Sequence, residues 1–226
     1  MGFNIAIDGP AGAGKSTVAK NAAKKMNFIY VDTGAMYRSI GLYLIRNGID
    51  IDNEEKVSAS LPDITVTIGF NKGKQEIFLN GENVSSLIRT QEVGEAASKT
   101  SAYKAVRSHL LELQRALSRT ANVLMDGRDI GTTVLPQADL KIFLTASPEV
   151  RAKRRFKELS EKNIPAVYED ILREINERDY RDTHREISPL KQAEDAVFLD
   201  TSDMTEDQVT DRIIALAEEK INGNCC

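Results

Sequence analysis

At 226 residues with 41% hydrophobic and 28% charged positions, the chain is long and apolar enough for one large domain with a substantial core. Its net charge of −4 argues against a surface that coats nucleic acid, so clustered arginines are read as local sites. No run approaches the ~18 apolar residues of a membrane span, the N-terminus lacks a signal pattern, and Cys225 and Cys226 suit neither a disulfide framework nor a metal or prenylation motif; a cytoplasmic protein with no membrane or nucleic-acid partner is expected.

The first stretch dominates the rest. Phe3 to Asp8 is a short apolar strand, and Gly9-Pro10-Ala11-Gly12-Ala13-Gly14-Lys15-Ser16-Thr17 matches G-x-x-x-x-G-K-[ST] before a helix through Met26. In this P-loop Gly12 and Gly14 let backbone N–H groups wrap a polyphosphate, Lys15 neutralises the β/γ-phosphates, and the Ser16 hydroxyl can enter a Mg²⁺ shell. A helix starting near Lys15 also turns its positive end toward the anion. ATP as donor is expected, with Mg²⁺; the loop does not name the acceptor.

Phe28 to Asp32 reads as a second buried strand and Met36 to Asn47 as a helix stopped by Gly48, which completes a βαβ unit and implies a parallel sheet. From Leu61 to Ser86 the period becomes two: Ile64, Val66, Ile68 and Phe70 alternate with polar residues. A turn at Asn71-Lys72-Gly73-Lys74 and the Asn80-Gly81 pair then predict a small antiparallel meander inserted in the frame. Thr90 to Arg119 reads as one helical stretch with a buried stripe of Val106, Leu110, Leu113 and Leu117, and Arg107 at its edge. Asn122 to Asp126, Leu140 to Thr145 and Ala196 to Asp200 are further strands. Ser147-Pro148 opens one helix and the Thr205-x-x-Gln208 capping box another, with stripe Val209, Ile213, Leu216. The expected architecture is an α/β, three-layer αβα sandwich on a five-stranded parallel sheet, with ligands at the carboxyl ends of the strands, near Asp8, Asp32, Asp126 and Asp200.

Basic residues collect in two places: Arg151, Lys153, Arg154, Arg155 and Lys157 ahead of a loop at 162–165, and Arg173, Arg178, Arg181 and Arg185, of which the last three share a face if the helix persists. A solvated charged face is the usual meaning of such runs, and Asp182 four residues after Arg178 is well spaced for an ion pair. Beside a P-loop the balance shifts, because phosphoryl transfer is mostly positioning and cationic stabilisation. A phosphate acceptor needs no general base, since its second pKa is near 6, whereas an alcohol needs a carboxylate; many arginines favour the phosphate, with Asp32 and Asp129 keeping the alcohol open. A GTPase switch is disfavoured: the N-K-x-D pattern is missing, Asn71-Lys72-Gly73-Lys74 ending in the wrong residue.

Five segments in order, GPAGAGKST, DTGAMYR at Asp32 to Arg38, IRTQEV at Ile88 to Val93, DGRDIGT at Asp126 to Thr132 and ERDYRDTHR at Glu177 to Arg185, resemble the bacterial cytidylate kinase family over essentially the whole chain. The resemblance implies transfer of the γ-phosphate of ATP, with Mg²⁺, to CMP or dCMP by a single P-loop kinase domain. It implies a monophosphate-binding region at 36–93 that carries the β insert at about 61–86, and a helical lid at about 148–166. By position it implies Arg38, Arg128 and Arg185 as the clamp on the acceptor phosphate with Thr33 against it, Ser98, Arg107 and Asp129 as the cytosine reader, Arg178 and Asp182 on the ribose, and Arg154 as the lid arginine nearest the phosphates. Lys15, Arg128, Arg154 and Arg185 would then carry catalysis. Bland readings stand beside these: Asp129 could pair with Arg128 or cap the next turn, and Arg107 could snorkel at the edge of its stripe. Thr33 departs from the Ser often found there but keeps the hydroxyl. Donor and acceptor residues on one chain lead to the expectation of a monomer.

Overall fold

The computed structural model describes residues 2–71 and 73–223; Lys72 of the predicted turn and the tail cysteines Cys225 and Cys226 lie outside the described residues. The strands are β1 (Asn4–Asp8), β2 (Ile29–Asp32), β3 (Val66–Asn71), β4 (Lys74–Leu79), β5 (Glu82–Asn83), β6 (Val123–Gly127), β7 (Leu140–Thr145) and β8 (Val197–Asp200). The helices are α1 (Lys15–Met26), α2 (Thr33–Arg46), α3 (Glu54–Ser60), α4 (Gln91–Thr100), α5 (Lys104–Thr120), α6 (Pro148–Glu161), α7 (Tyr168–His184) and α8 (Glu206–Ile221). A five-stranded parallel sheet has the order β2-β6-β1-β7-β8, and a separate antiparallel sheet the order β3-β4-β5. With the helices this is the predicted α/β frame. The chain also divides into two compact units, one built on Ile29–Val123 and the other on Phe3–Phe28 with the residues from Leu124 onward.

In the second unit β1 lies between β6 and β7, so the chain leaves β1 where the connections diverge to either side, the place where open α/β sheets bind ligands. Ile5, Ala6, Ile7, Leu124, Met125, Ile142 and Leu144 are buried, as strands covered on both faces require. α1 and α8 pack together and α6 packs on α7. Thr205 and Gln208 form the predicted reciprocal cap on α8, and Val209, Ile213 and Leu216 are its buried stripe.

In the first unit α2 packs on α4, and Gly41 permits it: a Cβ there would lie 3.1 Å from the Ala97 nitrogen and 3.2 Å from the Val93 oxygen. α2 begins at Thr33, three residues earlier than predicted, because Asp32 caps it by accepting from the Ala35 N–H at 3.0 Å. Asn80 and Gly81 both take positive φ, 49° and 85°, as the two-residue hairpin requires. The predicted inward face of the meander fades along β3: Ile64 and Val66 are buried, Ile68 is half-buried and Phe70 is exposed.

Two expectations need correction here. The stretch 90–119 is two helices, separated at Ser101 to Tyr103, because Tyr103 takes extended backbone angles and sends its hydroxyl to the Ile51 carbonyl at 2.9 Å. The buried stripe of α5 is then Val106, Arg107, Leu110, Gln114 and Ser118, with Leu113 and Leu117 only half-buried. α3 was absent from the sequence reading, although Asn53, which accepts from the Lys56 N–H at 3.0 Å, is a plain N-cap.

Candidate active site

In the second unit the P-loop runs from Gly9 into α1 with Gly9, Gly12 and Gly14 at φ of 152°, 75° and 87°. The left-handed turns at Gly12 and Gly14 are where side chains would be strained. Lys15 is 5% exposed and donates to the Pro10 carbonyl at 2.7 Å, which closes the loop on itself. Burial first, and then the charge of Arg128, push its ammonium well below the usual lysine range, against the opposing pull of Asp126, Asp8 and Asp182. A buried cation disfavoured by its surroundings is one that an incoming anion stabilises.

Ser16 Oγ donates to Asp126 Oδ2 at 2.7 Å. Asp126 is 4% exposed near the end of β6. The sequence reading noted Asp126 at a strand end and gave it no role; the available signal was the apolar run Asn122-Val123-Leu124-Met125 ending in a carboxylate one sheet position from the P-loop. A hydroxyl and a carboxylate are hard oxygen donors, and two such protein ligands completed by phosphate oxygens and water are what Mg²⁺ usually takes.

Arg128, Asp129, Asp182 and Arg185 form one cluster. Arg128 Nε donates to Asp182 Oδ2 at 2.9 Å, and Arg185 Nη2 lies 3.7 Å from Asp129 Oδ1. Burial pushes Asp182 up, but Arg128, Arg178 and Arg185 together outweigh it and hold the carboxyl below its ordinary range. Asp129 opens a π-helical turn, Ile130–Val134, yet its side chain makes no cap, so the capping alternative falls away. Asp182 pairs with Arg128, and Arg178 acts on it through its field. Arg185 stands just past the end of α7, held by Ser188, whose carbonyl accepts from Arg185 Nε at 2.7 Å, so it does not share the helical face with Arg178 and Arg181.

The basic run on α6 is not uniform. Arg151 is 2% exposed; it donates to the Ala146 and Ala11 carbonyls at 2.8 and 3.1 Å and pairs with Asp179 of α7 through both carboxylate oxygens. It is a buried brace of the P-loop. Arg154 lies against the same loop, reaching the Thr201 carbonyl at 2.7 Å and the Ala13 carbonyl at 3.4 Å. Among the described residues Arg155 and Lys157 pair with Glu158 and Glu161 on their own helix, at the surface.

The first unit carries the remaining predicted residues. Arg38 donates to the Ile88 carbonyl at 3.1 Å, and its guanidinium occupies the space a Cβ at Gly94 would need, 3.0 Å from that position. Gly94, in no predicted set, therefore fixes where Arg38 can lie. Arg107 is 8% exposed, sits 5.6 Å over the Tyr37 ring and donates to the Ser101 carbonyl at 3.1 Å. Among the described residues the buried Ser98 hydroxyl on α4 has no hydrogen-bond partner, an arrangement expected of a group that waits for a ligand. Thr33 is buried in the first turn of α2. Asp32 is committed to its cap and to Arg89 at 2.7 Å, which weakens it as a general base.

Among solved structures, a gluconokinase from Sinorhizobium meliloti superposes with a TM-score of 0.50 at 14% identity, covering 97% of this chain and 94% of that one. A P-loop closing the central strand of such a sheet defines the class, a P-loop kinase fold. The sequence model of the cytidylate kinase family matches residues 5–219. Proteins named cytidylate kinase from Lactobacillus johnsonii and Caldicellulosiruptor saccharolyticus are each 48% identical, over 96% and 98% of this chain and 95% and 98% of theirs. The chain belongs to the cytidylate kinase family.

Proposed function

We propose that the protein transfers the γ-phosphate of ATP to CMP or dCMP, giving ADP and the cytidine diphosphate. The observation that carries this reading is family membership over residues 5–219, with Lys15 buried in the field of Arg128 beside the Asp182 and Arg185 cluster. The P-loop N–H groups and Lys15 bind the polyphosphate. Ser16 and Asp126 would hold Mg²⁺, which would supply charge neutralisation for the transferring phosphoryl group.

Arg38, Arg128 and Arg185, with Thr33, clamp the acceptor phosphate, whose own anionic oxygen attacks; no protein base is required. Asp129 accepts from the cytosine N4 amino group, a position where uracil presents an acceptor that would face the carboxylate unpaired, while Arg107 and the Ser98 hydroxyl serve the O2/N3 side. Arg178 and Asp182 contact the ribose. Arg154 adds positive charge at the donor phosphates. Residues 36–93 serve as the monophosphate-binding region, with the insert at about 61–86 as its wall and 148–166 as a lid that excludes water. Within one P-loop kinase domain this constellation lets a cytoplasmic monomer work alone.

ADP release measured with CMP, dCMP, UMP, AMP and a hydroxylated acid as acceptors tests the reading. CMP and dCMP should turn over best; preference for the hydroxylated acid would replace it with an alcohol kinase.

A further inference from the structure

Asp8 ends β1 one residue ahead of the P-loop, and none of the roles above uses it. It is 5% exposed, and its two carboxylate oxygens accept from the backbone N–H groups of Ile130 and Gly131, at 2.7 Å each. Those are the first N–H groups of the turn Ile130–Val134, which follows Arg128 and Asp129 directly. The first N–H groups of any helical turn lack partners within it and are normally satisfied by the side chain at the N-cap. Here the N-cap residue is Asp129, a residue type well suited to the task, and its side chain makes no cap bond. A carboxylate from a neighbouring strand has taken the task over. The fit is close: a Cβ at Gly131 would lie 3.4 Å from Asp8 Oδ2 and 3.1 Å from Lys141 Cδ, so the segment rests on a carboxylate and a lysine stem with no room to rise.

We propose that Asp8 is a positioning residue for acceptor recognition: by capping Ile130 and Gly131 it relieves Asp129 of the cap and so keeps its carboxylate on the side of Arg185, where the base is read. This rests on the cytosine reading above. Without Asp8, Asp129, as the N-cap residue, can turn back to accept from the freed Gly131 N–H, and doing so withdraws it from the base.

The test is Asp8→Asn, which keeps size but places an amide donor against one of the two N–H groups. kcat/KM for CMP should fall about ten- to hundredfold, the cost of losing a charge-assisted acceptor. The ratio of kcat/KM for CMP over UMP should fall toward that of Asp129→Ala, over and above any loss of ATP affinity that follows from removing a charge that acts on Lys15. A merely structural role would lower stability and weaken both substrates together, leaving the ratio unchanged, and that result overturns the proposal. If Asp8→Asn does not fold, Gly131→Ala, which lifts the segment but retains Asp8, decides on the same ratio. Absence of CMP turnover in the unsubstituted protein would instead defeat the functional reading.

Discussion

The Ser16 hydroxyl hydrogen points to Asp126, 110 residues away in sequence, across 2.7 Å. Ser16 is the second residue of α1 and Asp126 the next-to-last of β6, so the contact ties the P-loop to the neighbouring strand. Replacing Asp126 by Asn keeps a hydrogen-bond acceptor but removes the charge. The Mg²⁺ concentration for half-maximal activity should rise about tenfold or more, as loss of a ligand or its orienting partner does. Titration of activity against Mg²⁺ checks this; an unchanged curve would remove Asp126 from the metal site.

Arg151 and Asp179 brace the P-loop from below. Truncation of the arginine leaves a part-buried carboxylate and two loop carbonyls without their donor, so Arg151→Ala should cost about 3 kcal/mol in urea unfolding. Arg155→Ala, four residues on and paired only at the surface, should stay within about 0.5 kcal/mol. Equal effects would mean that burial does not distinguish these neighbours.

Asp129→Ala removes the carboxylate without removing a cap, since none is made. Stability should fall by about 3 kcal/mol, because the buried Arg185 loses the carboxylate 3.7 Å away, and kcat/KM for CMP should drop about ten- to hundredfold with a smaller drop for UMP. Steady-state kinetics on both acceptors is the check; equal losses would take the base reader away from Asp129.

Burial raises the pKa of Asp8 from the ordinary 3.8 to about 6, with the Gly131 and Ile130 N–H groups pulling down, Asp129 pushing up and Lys15 pulling down. Between those two values the folded protein binds a proton that the unfolded chain has lost. The contribution of Asp8 to stability is therefore highest below pH 3.8, falls as pH rises through the window and is level above 6. Relative to the native protein, Asp8→Asn should gain about 2 kcal/mol between pH 4 and 6. Urea unfolding across that range reads the difference, and parallel curves would contradict it.

The sheet, the hairpin and the caps at Ser147 and Thr205 were legible because each rests on local chemistry: a period, a turn pair or a side chain three residues from the N–H it serves. The break at Ser101 to Tyr103 was not, since no glycine or proline marks it and its cause is a hydroxyl bond to Ile51. The strand, glycine turn and helix start of the P-loop segment were readable, with α1 opening at Lys15 as expected. The separate fates of Arg151 and Arg154 were not, because both sit in one basic run and only the packing of α6 on α7 buries the first. Asp8 and Asp126 show the same limit: a carboxylate at a strand end is visible in the sequence, but the groups it serves, Ile130 and Ser16, lie more than a hundred residues away.

Chromatographic detection of labelled CDP from γ-labelled ATP and CMP tests the central claim most directly. With Mg²⁺ present, label should appear in CDP at a rate well above that in UDP from UMP, and Lys15→Ala should abolish it. Label released as free phosphate at the same rate with or without CMP would contradict the account.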